Sequence, residues 1–492
     1  MEFSEHIKTA NVEDVVLRRP FHPPMKGTLC VTGHHLLFSN RDGDSSRLVL
    51  LLLRNIDAIE KSVENLLGYS SLFSSTGQSQ RPSGSSGTIT LKCKDLCVLQ
   101  LDIPGMEECL NIARSIESLS SLDSVSDMYP FFYRPLKLSL QDQWGLSSPE
   151  QDYAQMEELQ DRWRLSHVNR DYSVCPSYPP AVIVPHSVDD ETLVKVAKFR
   201  HGGRFPVLCY YHRKNGMVIM RSSQPLTGAN RKRCREDELL LQAVIDGSGL
   251  GYIIDTRSNQ QAQQARMTGG GFESKSSYSC WKRLHRQLER DGHSVLVHGS
   301  EGTDTTLLVS SLAQLILDPN TRTLAGFLGL LEREWLQAGH PFQQRCAHSA
   351  YSHARLRLEA PVFVLLLDCV WQLARQFPLA MGFSEPLLLR LAMEVYASDY
   401  GTFLCNSDQE RCAAGVKERT HCLFQSLLRP SERERYSNPL YEPTELAIWP
   451  SVQPQSLQLW RGLFLRWTQH AVHLEEAQVE LRNLVIECRG AS

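Results

Sequence analysis

The apolar positions of this chain change period along its length. Residues 27–38 hold two short apolar runs broken by Thr32-Gly33-His34, and 49–53 and 88–92 add further strand-like runs. Residues 106–119 then place Leu110, Ala113, Ile116 and Leu119 at helical spacing. Several strands closed by one helix predict a small β domain over 1–121. Within it, 68–87 is rich in Ser, Gly and Gln and nearly free of charge, which predicts a flexible insertion.

The stretch 121–127 reads as a boundary. Beyond it, strand-like runs at 207–211, 217–220, 252–255 and 294–297 alternate with helical patterns at 324–336, 362–377 and 387–397. That alternation predicts an α/β domain over 128–470. The face Val362, Leu365, Leu366, Cys369, Val370, Leu373 marks a core helix. Over 471–492, Leu474, Ala477, Leu481, Leu484 and Val485 begin an amphipathic stripe, the start of a coiled coil without sustained heptads.

Composition narrows the function classes. The 492 residues allow two or three domains, and a formal charge of -3 argues against general nucleic-acid binding. The longest apolar runs, near 48–53 and 361–369, are too short to span a bilayer. The N-terminus, MEFSEHIKTA, lacks the apolar core of a secretory signal. Fourteen cysteines without a Cys-x-x-Cys pair predict free thiols in a reducing cytosol, with Cys30 and Cys369 among the buried ones. No metal or cofactor is expected.

The informative chemistry lies at 294–306, which reads SVLVHGSEGTDTT. An apolar run leads to His298, glycines follow at 299 and 302, and Leu307, Leu308, Ser311, Leu312 and Leu315 open a helical pattern. Strand, glycine loop and helix N-terminus together converge backbone N–H groups on a phosphate. A cysteine-dependent phosphatase mounts a thiolate at the loop start and an arginine six residues later. Here those positions hold Gly299 and Thr305. Ser300, Thr303, Thr305 and Thr306 offer only weak hydroxyl nucleophiles, and His298 is the candidate base. The loop brings no positive charge, and it carries Glu301 and Asp304. Catalysis at 298–306 is therefore not expected. Two other readings remain. Either the backbone fold is simply kept, with Gly299 and Gly302 serving a tight turn and Thr303 and Asp304 capping the helix, or an anion still binds. The two carboxylates oppose the helix N-terminal field and favour the first.

Weaker signals read as structure. The bare spacings Cys280/Arg286, Cys369/Arg375 and Cys405/Arg411 lack a glycine cradle, and the first two lie in helical patterns. Arg231-Lys232-Arg233-Cys234-Arg235 reads as a solvated loop neutralised by Glu236, Asp237 and Glu238 rather than a lipid or nuclear address. Gly269-Gly270-Gly271 lacks a following Lys-Ser/Thr and reads as a turn.

Residues 298–306 resemble the His-Cys-Ser-Asp-Gly-Trp-Asp-Arg-Thr signature of the myotubularin family of phosphoinositide phosphatases. So do PFFYRP from Pro130, FRHGGRFPVLCYYH from Phe199, RSSQPLTG from Arg221, YIIDTR from Tyr252 and GGGFE from Gly269. EREWLQAGHPF from Glu332, PVFVLLLDCVWQLARQFP from Pro361, YGTFL from Tyr400 and LQLWRGLFLRW from Leu457 complete the set. The resemblance covers nearly the whole chain and is to the inactive branch of the family. It implies a cysteine-dependent, dual-specificity-like α/β phosphatase fold behind a pleckstrin-homology-like GRAM β-barrel, the KGTLCVTGHHLLFSN block standing for the latter.

The resemblance also implies a pseudophosphatase on cytoplasmic endomembranes. Its role would be a regulatory or scaffolding partner of active relatives that remove the 3-phosphate from phosphoinositides. An alternative is a phosphoinositide-binding module acting alone through the GRAM-like domain, where Lys26, His34, His35 and Arg41 could reach a headgroup. A third is an enzyme of unexpected mechanism. Two departures from the family stand out. Arg290-Asp291-Gly292-His293 replaces a segment of several tens of residues, and the dimerising coiled coil is only a stub, which predicts weakened association with partners.

Overall fold

The computed structural model describes residues 2–42, 45–65, 85–135, 144–155, 161–245, 249–284, 292–351 and 359–467. The stripe at 471–492, the shortened stretch at 290–291 and residues 68–84 of the expected insertion lie outside the described residues.

The N-terminal lobe is one antiparallel sheet. Its strands are β1 (Asn11–Arg18), β2 (Met25–Val31), β3 (His35–Asp42), β4 (Ser45–Leu52), β5 (Ile56–Asn65), β6 (Ser85–Cys93) and β7 (Val98–Pro104), in the order β4-β3-β2-β1-β7-β6-β5. Alternation drives it: in β7, Leu99, Leu101 and Ile103 are buried while the residues between them are not. Helix α1 (Met106–Ser120) packs Cys109, Ile112, Ala113, Ile116 and Leu119 against this face. The expected strands and closing helix are present, and β1, β5 and β7 join them. The resemblance also implies a barrel, but no ladder joins β4 to β5 among the described residues, so the sheet is open there.

The expected loop at 68–87 runs too far. Ser85–Gly87 are already strand, with Gly87 paired to Val63 and Ile103. A Cβ on Gly87 would lie 2.3 Å from Cys109 Sγ, so this glycine lets α1 settle on β6.

The second lobe alternates as predicted. A two-stranded ribbon, β8 (Trp163–Ser166) with β9 (Val182–Pro185), precedes the main sheet. That sheet contains β10 (Val207–His212), β11 (Met217–Ser223), β12 (Gly251–Asp255), β13 (Trp281–Leu284) and β14 (Val295–Gly299), ordered β10-β11-β14-β12-β13. Only β10 and β11 pair antiparallel; the other pairs are parallel. Helices α2 (Pro149–Ala154), α3 (Asp190–Phe199), α4 (Arg235–Val244), α5 (Asn259–Met267) and α6 (Thr305–Leu317) accompany the sheet. Beyond it come α7 (Leu324–Leu331), a π-helical turn Glu332–Gln337, α8 (Phe342–Arg345), α9 (Val362–Gln376), α10 (Glu385–Glu394) and α11 (Asp408–Ala414).

Strand β14 is central, which decides where the site lies. It runs parallel between β11 and β12, with His298 opposite Ser222 on one side and Asp255 on the other. Three loops therefore leave the carboxyl edge of the sheet together, the usual place for a ligand crevice.

The buried face of α9 is rotated from the predicted one. Phe363, Leu366, Leu367, Val370 and Leu373 are buried, Val362 and Cys369 are half-buried, and Leu365 is exposed. Phe363 sets this rotation by inserting 5.2 Å from the rings of Trp335 and Phe342 and 5.5 Å from Phe403. Among the described residues the cysteines are free, and no helix is long and apolar enough to cross a membrane. Cys30 is half-buried rather than buried.

Candidate active site

The loop after β14 is held from outside by its carbonyls. Ser300 O accepts from Gln224 N at 3.3 Å, Gly302 O from Arg204 Nη2 at 2.8 Å and Thr303 O from His340 Nδ1 at 2.8 Å. None of the N–H groups of Ser300 to Asp304 donates to a protein acceptor among the described residues. Gly302 has φ +76°, and a Cβ there would meet Ser222 O at 2.4 Å, so the turn requires glycine. Gly299 serves no such turn. It ends β14, and its constraint is lateral: a Cβ would lie 2.7 Å from Thr256 Oγ1 and 3.2 Å from Thr306 Oγ1.

Hydroxyls surround Gly299 and Thr305. Thr305 Oγ1 and Thr256 Oγ1 are 3.0 Å apart. The hydroxyls of Thr303 and Thr306 are buried with no hydrogen-bond partner. Ser300 is exposed.

The carboxylates of the loop are not left to oppose the helix. Arg345, the last residue of α8, grips Asp304 through Nε–Oδ1 at 3.0 Å and Nη2–Oδ2 at 2.8 Å, and its Nη2 lies 3.3 Å from Glu301 Oε2. Burial pushes the Asp304 carboxyl up, but hydrogen bonds from His340 and Arg345 outweigh it and hold the group well below the usual range. The expectation that the loop lacks positive charge holds for 298–306 alone; the fold supplies the charge from Arg345. The expected caps are also absent. Asp304 stands at the N-cap position of α6 but makes no cap hydrogen bond, because its carboxylate is committed to Arg345.

His298 is no base for the loop. It is fully buried, and its Nε2 lies 3.0 Å from Glu273 Oε2. Behind it runs a buried chain. Arg200 Nη1 donates to Glu273 Oε1 at 2.8 Å, Arg200 also grips Asp237 with two bonds of 2.7 Å, and Tyr278 OH donates to Asp237 at 2.7 Å. Burial opposes the charge on Glu273, yet His298 and Arg200 beside it hold its carboxyl well below the ordinary range. This network fixes the root of the loop and commits His298 Nε2 to Glu273 rather than to a loop hydroxyl.

The other candidates fall into place as structure. Arg233 pairs with Glu238, but Asp237 turns inward to Arg200 rather than neutralising the basic run. The triple glycine packs as a turn: a Cβ on Gly270 would meet Gln224 Oε1 at 2.2 Å. Cys280 immediately precedes strand β13 and is not helical, since Trp281–Leu284 pair with β12. Cys369 and Arg375 share α9. Burial pushes the Cys405 thiol up to about 11, and Arg411 Nη1 donates to Leu336 O. Lys26 pairs with Asp14, while His34 packs against Tyr129 and Phe132 and His35 meets Tyr129 edge-on at the junction of the two lobes. Burial lowers both, His35 to about 4. These three therefore do not converge on a headgroup; the Arg41 side chain lies outside the described residues.

Sequence reasoning missed Arg345, Arg204, His340, Thr256 and the Glu273 network. The signal was present for most of them. Arg200 and Arg204 belong to FRHGGRF, Thr256 to YIIDTR, Glu273 to GGGFE and His340 to AGHPF, and the structure brings these blocks around one loop. Among the described residues no group of His, Cys, Asp and Glu side chains is arranged to hold a metal ion.

Comparison with known proteins agrees with this convergence. The family profile described as "Myotubularin-like phosphatase domain" matches residues 128–292 and 283–412, two pieces that overlap at 283–292. Mouse "Myotubularin-related protein 9" is 50% identical over 539 aligned positions, covering 99% of this chain and 95% of the relative. The Caenorhabditis elegans protein of the same name is 33% identical, covering 95% of this chain and 91% of the relative. Human "Phosphatidylinositol-3-phosphate phosphatase MTMR7" is 32% identical, covering 89% of this chain and 72% of the relative. With the family profile matched across 128–412 and relatives matched along nearly its whole length, this chain belongs to the myotubularin family.

Proposed function

We propose that this protein is a pseudophosphatase that regulates or scaffolds active phosphatases of its own family. One observation carries the loss of catalysis: the position of the nucleophile is Gly299, and Thr256 Oγ1 stands 2.7 Å from where its side chain would begin. Thr305 replaces the arginine, and its hydroxyl is spent on Thr256. Arg345 is committed to Asp304 and Glu301. Neither Gly299 nor Thr305 supplies the thiolate or guanidinium that would attack and stabilise a phosphoryl group. The partner role follows from kinship: relatives over most of the chain include a protein named as a phosphatidylinositol-3-phosphate phosphatase. An active partner of that kind supplies the chemistry, this chain supplies a stable surface on endomembranes, and the sheet lobe takes the part of a GRAM-like domain.

Two assays test this. Purified protein releases no phosphate from 3-phosphorylated inositol lipids, and it co-purifies with at least one active family member, raising that member's turnover or stability. Phosphate release that is lost on Ser300→Ala refutes the first part; failure to associate with every active member refutes the second.

A second reading rests on the uncommitted N–H groups of Ser300 to Asp304. With both loop carboxylates held by Arg345, the cradle retains weak affinity for a tetrahedral oxyanion without cleaving it. Phosphate-dependent shifts in the amide resonances of 300–304 support it, and unchanged resonances at saturating phosphate exclude it.

A further inference from the structure

A cavity of about 400 Å³ lies between the seven-stranded sheet and the helices of the second lobe. Its size falls among small-ligand pockets, ~300–1,000 Å³. One side is apolar: Val364 of α9, Met393 of α10, and Leu463 and Phe464 from the C-terminal segment. The other side carries charge.

Two polar groups there lack hydrogen-bond partners. Lys94, in the turn after β6, is 3% exposed, yet its ammonium makes no hydrogen bond or ion pair among the described residues. Glu359 Oε1 is buried without a hydrogen-bond donor; His348 Nε2 is 3.9 Å away. A buried cation and a buried acceptor left open in one cavity are both unfavourable unless something fills it. Burial drives the Lys94 pKa down to about 7, with nearby Arg54 adding to the effect. The cations Lys94, Arg345 and Arg466 outnumber the carboxylates Asp95 and Glu359 in the wall.

We propose that this cavity binds a single-chain lipid whose anionic head also bears a hydroxyl, the chemistry of a lysophosphatidate. The anion pairs with Lys94, and the hydroxyl donates to Glu359 Oε1. The acyl chain lies along Val364, Met393, Leu463 and Phe464. Arg345 lines the same cavity while it holds Asp304 and Glu301, so the ligand sits beside the residue that anchors the degenerate loop. A buried open cation, a buried open acceptor and an apolar wall select for all three features at once; a fatty acid lacks the hydroxyl and a monoacylglycerol lacks the anion.

The test titrates the full chain with oleoyl lysophosphatidate, oleate and monooleoylglycerol, each below its micellar concentration. Lysophosphatidate is expected to saturate, with the other two about tenfold weaker. Lys94→Met is expected to weaken lysophosphatidate about tenfold and leave monooleoylglycerol unchanged. Val364→Phe, or Met393→Trp should the first variant fold poorly, is expected to exclude all three. No saturable binding, equal affinity for monooleoylglycerol, or unchanged binding by Lys94→Met overturns the proposal. Oleate binding as tightly as lysophosphatidate removes Glu359 from the site, and with it the hydroxyl-bearing ligand class.

Discussion

Arg345 closes a bidentate pair on Asp304, joining the end of α8 to the start of α6 across 41 residues of chain. The Arg345 side chain is 8% exposed and that of Asp304 is 28% exposed, so the pair is shielded more than a surface ion pair. Arg345→Met leaves Asp304 and Glu301 facing each other beside the helix. It is expected to destabilise the protein by ~2–4 kcal/mol at pH 7, measured by urea denaturation. The folded pKa of Asp304 lies below its unfolded value, so its contribution is present above about pH 4 and is lost as pH falls further. The gap between wild type and Arg345→Met should therefore begin to close below pH 4 and still be partly open at pH 3. A gap that stays constant from pH 7 to pH 3 would show that the pair contributes nothing through charge.

Gly299→Cys will not restore phosphatase activity, because no guanidinium stands at 305 to hold the developing charge. The new Cβ also falls 2.7 Å from Thr256 Oγ1. Overpacking of this kind is expected to cost ~1–3 kcal/mol, and Thr256→Ala in the same molecule should recover most of it. Differential scanning fluorimetry reads the stability and phosphate release reads the activity. Robust turnover from the single change contradicts this account, and a melting temperature equal to wild type shows that Thr256 simply rotates away.

Lys94 makes stability rise with pH. Its folded pKa is about 7, against ~10.4 for the unfolded chain, so between these values the unfolded state holds more protons. The penalty is full below pH 7 and disappears as pH approaches ~10. Lys94→Met is expected to raise stability by ~3–5 kcal/mol at pH 6 and by little at pH 10. Thermal melts of both proteins across this range, without added lipid, decide it; a variant no more stable than wild type at pH 6 would mean that the ammonium is already paired or solvated.

Deleting 68–84 should leave the melting temperature nearly unchanged, since a Ser- and Gly-rich stretch buries too little apolar area to offset its ordering. Extending the deletion to Gly87 removes the first residues of β6, their pairing to β5 and β7, and the seat of Cys109. That longer deletion should lower the melting temperature by several degrees. Equal effects of the two deletions would place no weight on the start of β6.

Much of the fold was legible because burial follows period. The runs at 207–211, 252–255 and 294–297 are β10, β12 and β14, and Leu307, Leu308, Ser311 and Leu315 are buried in α6 as their spacing requires. The face of α9 was not, because Phe363 and Leu365 are equally apolar and only the rings of Trp335, Phe342 and Phe403 choose between them.

The sequence by itself determined the family and the absence of thiolate and guanidinium at 299 and 305, because both reside in the identity of residues at fixed spacing. It could not determine that Arg345 neutralises the loop, that His298 faces Glu273 rather than a loop hydroxyl, or that Lys94 and Glu359 share a cavity. Those depend on residues distant in the chain meeting in three dimensions. Partner choice for a charge is set by proximity, burial and the packing of whole helices and sheets, and none of these is written in local order.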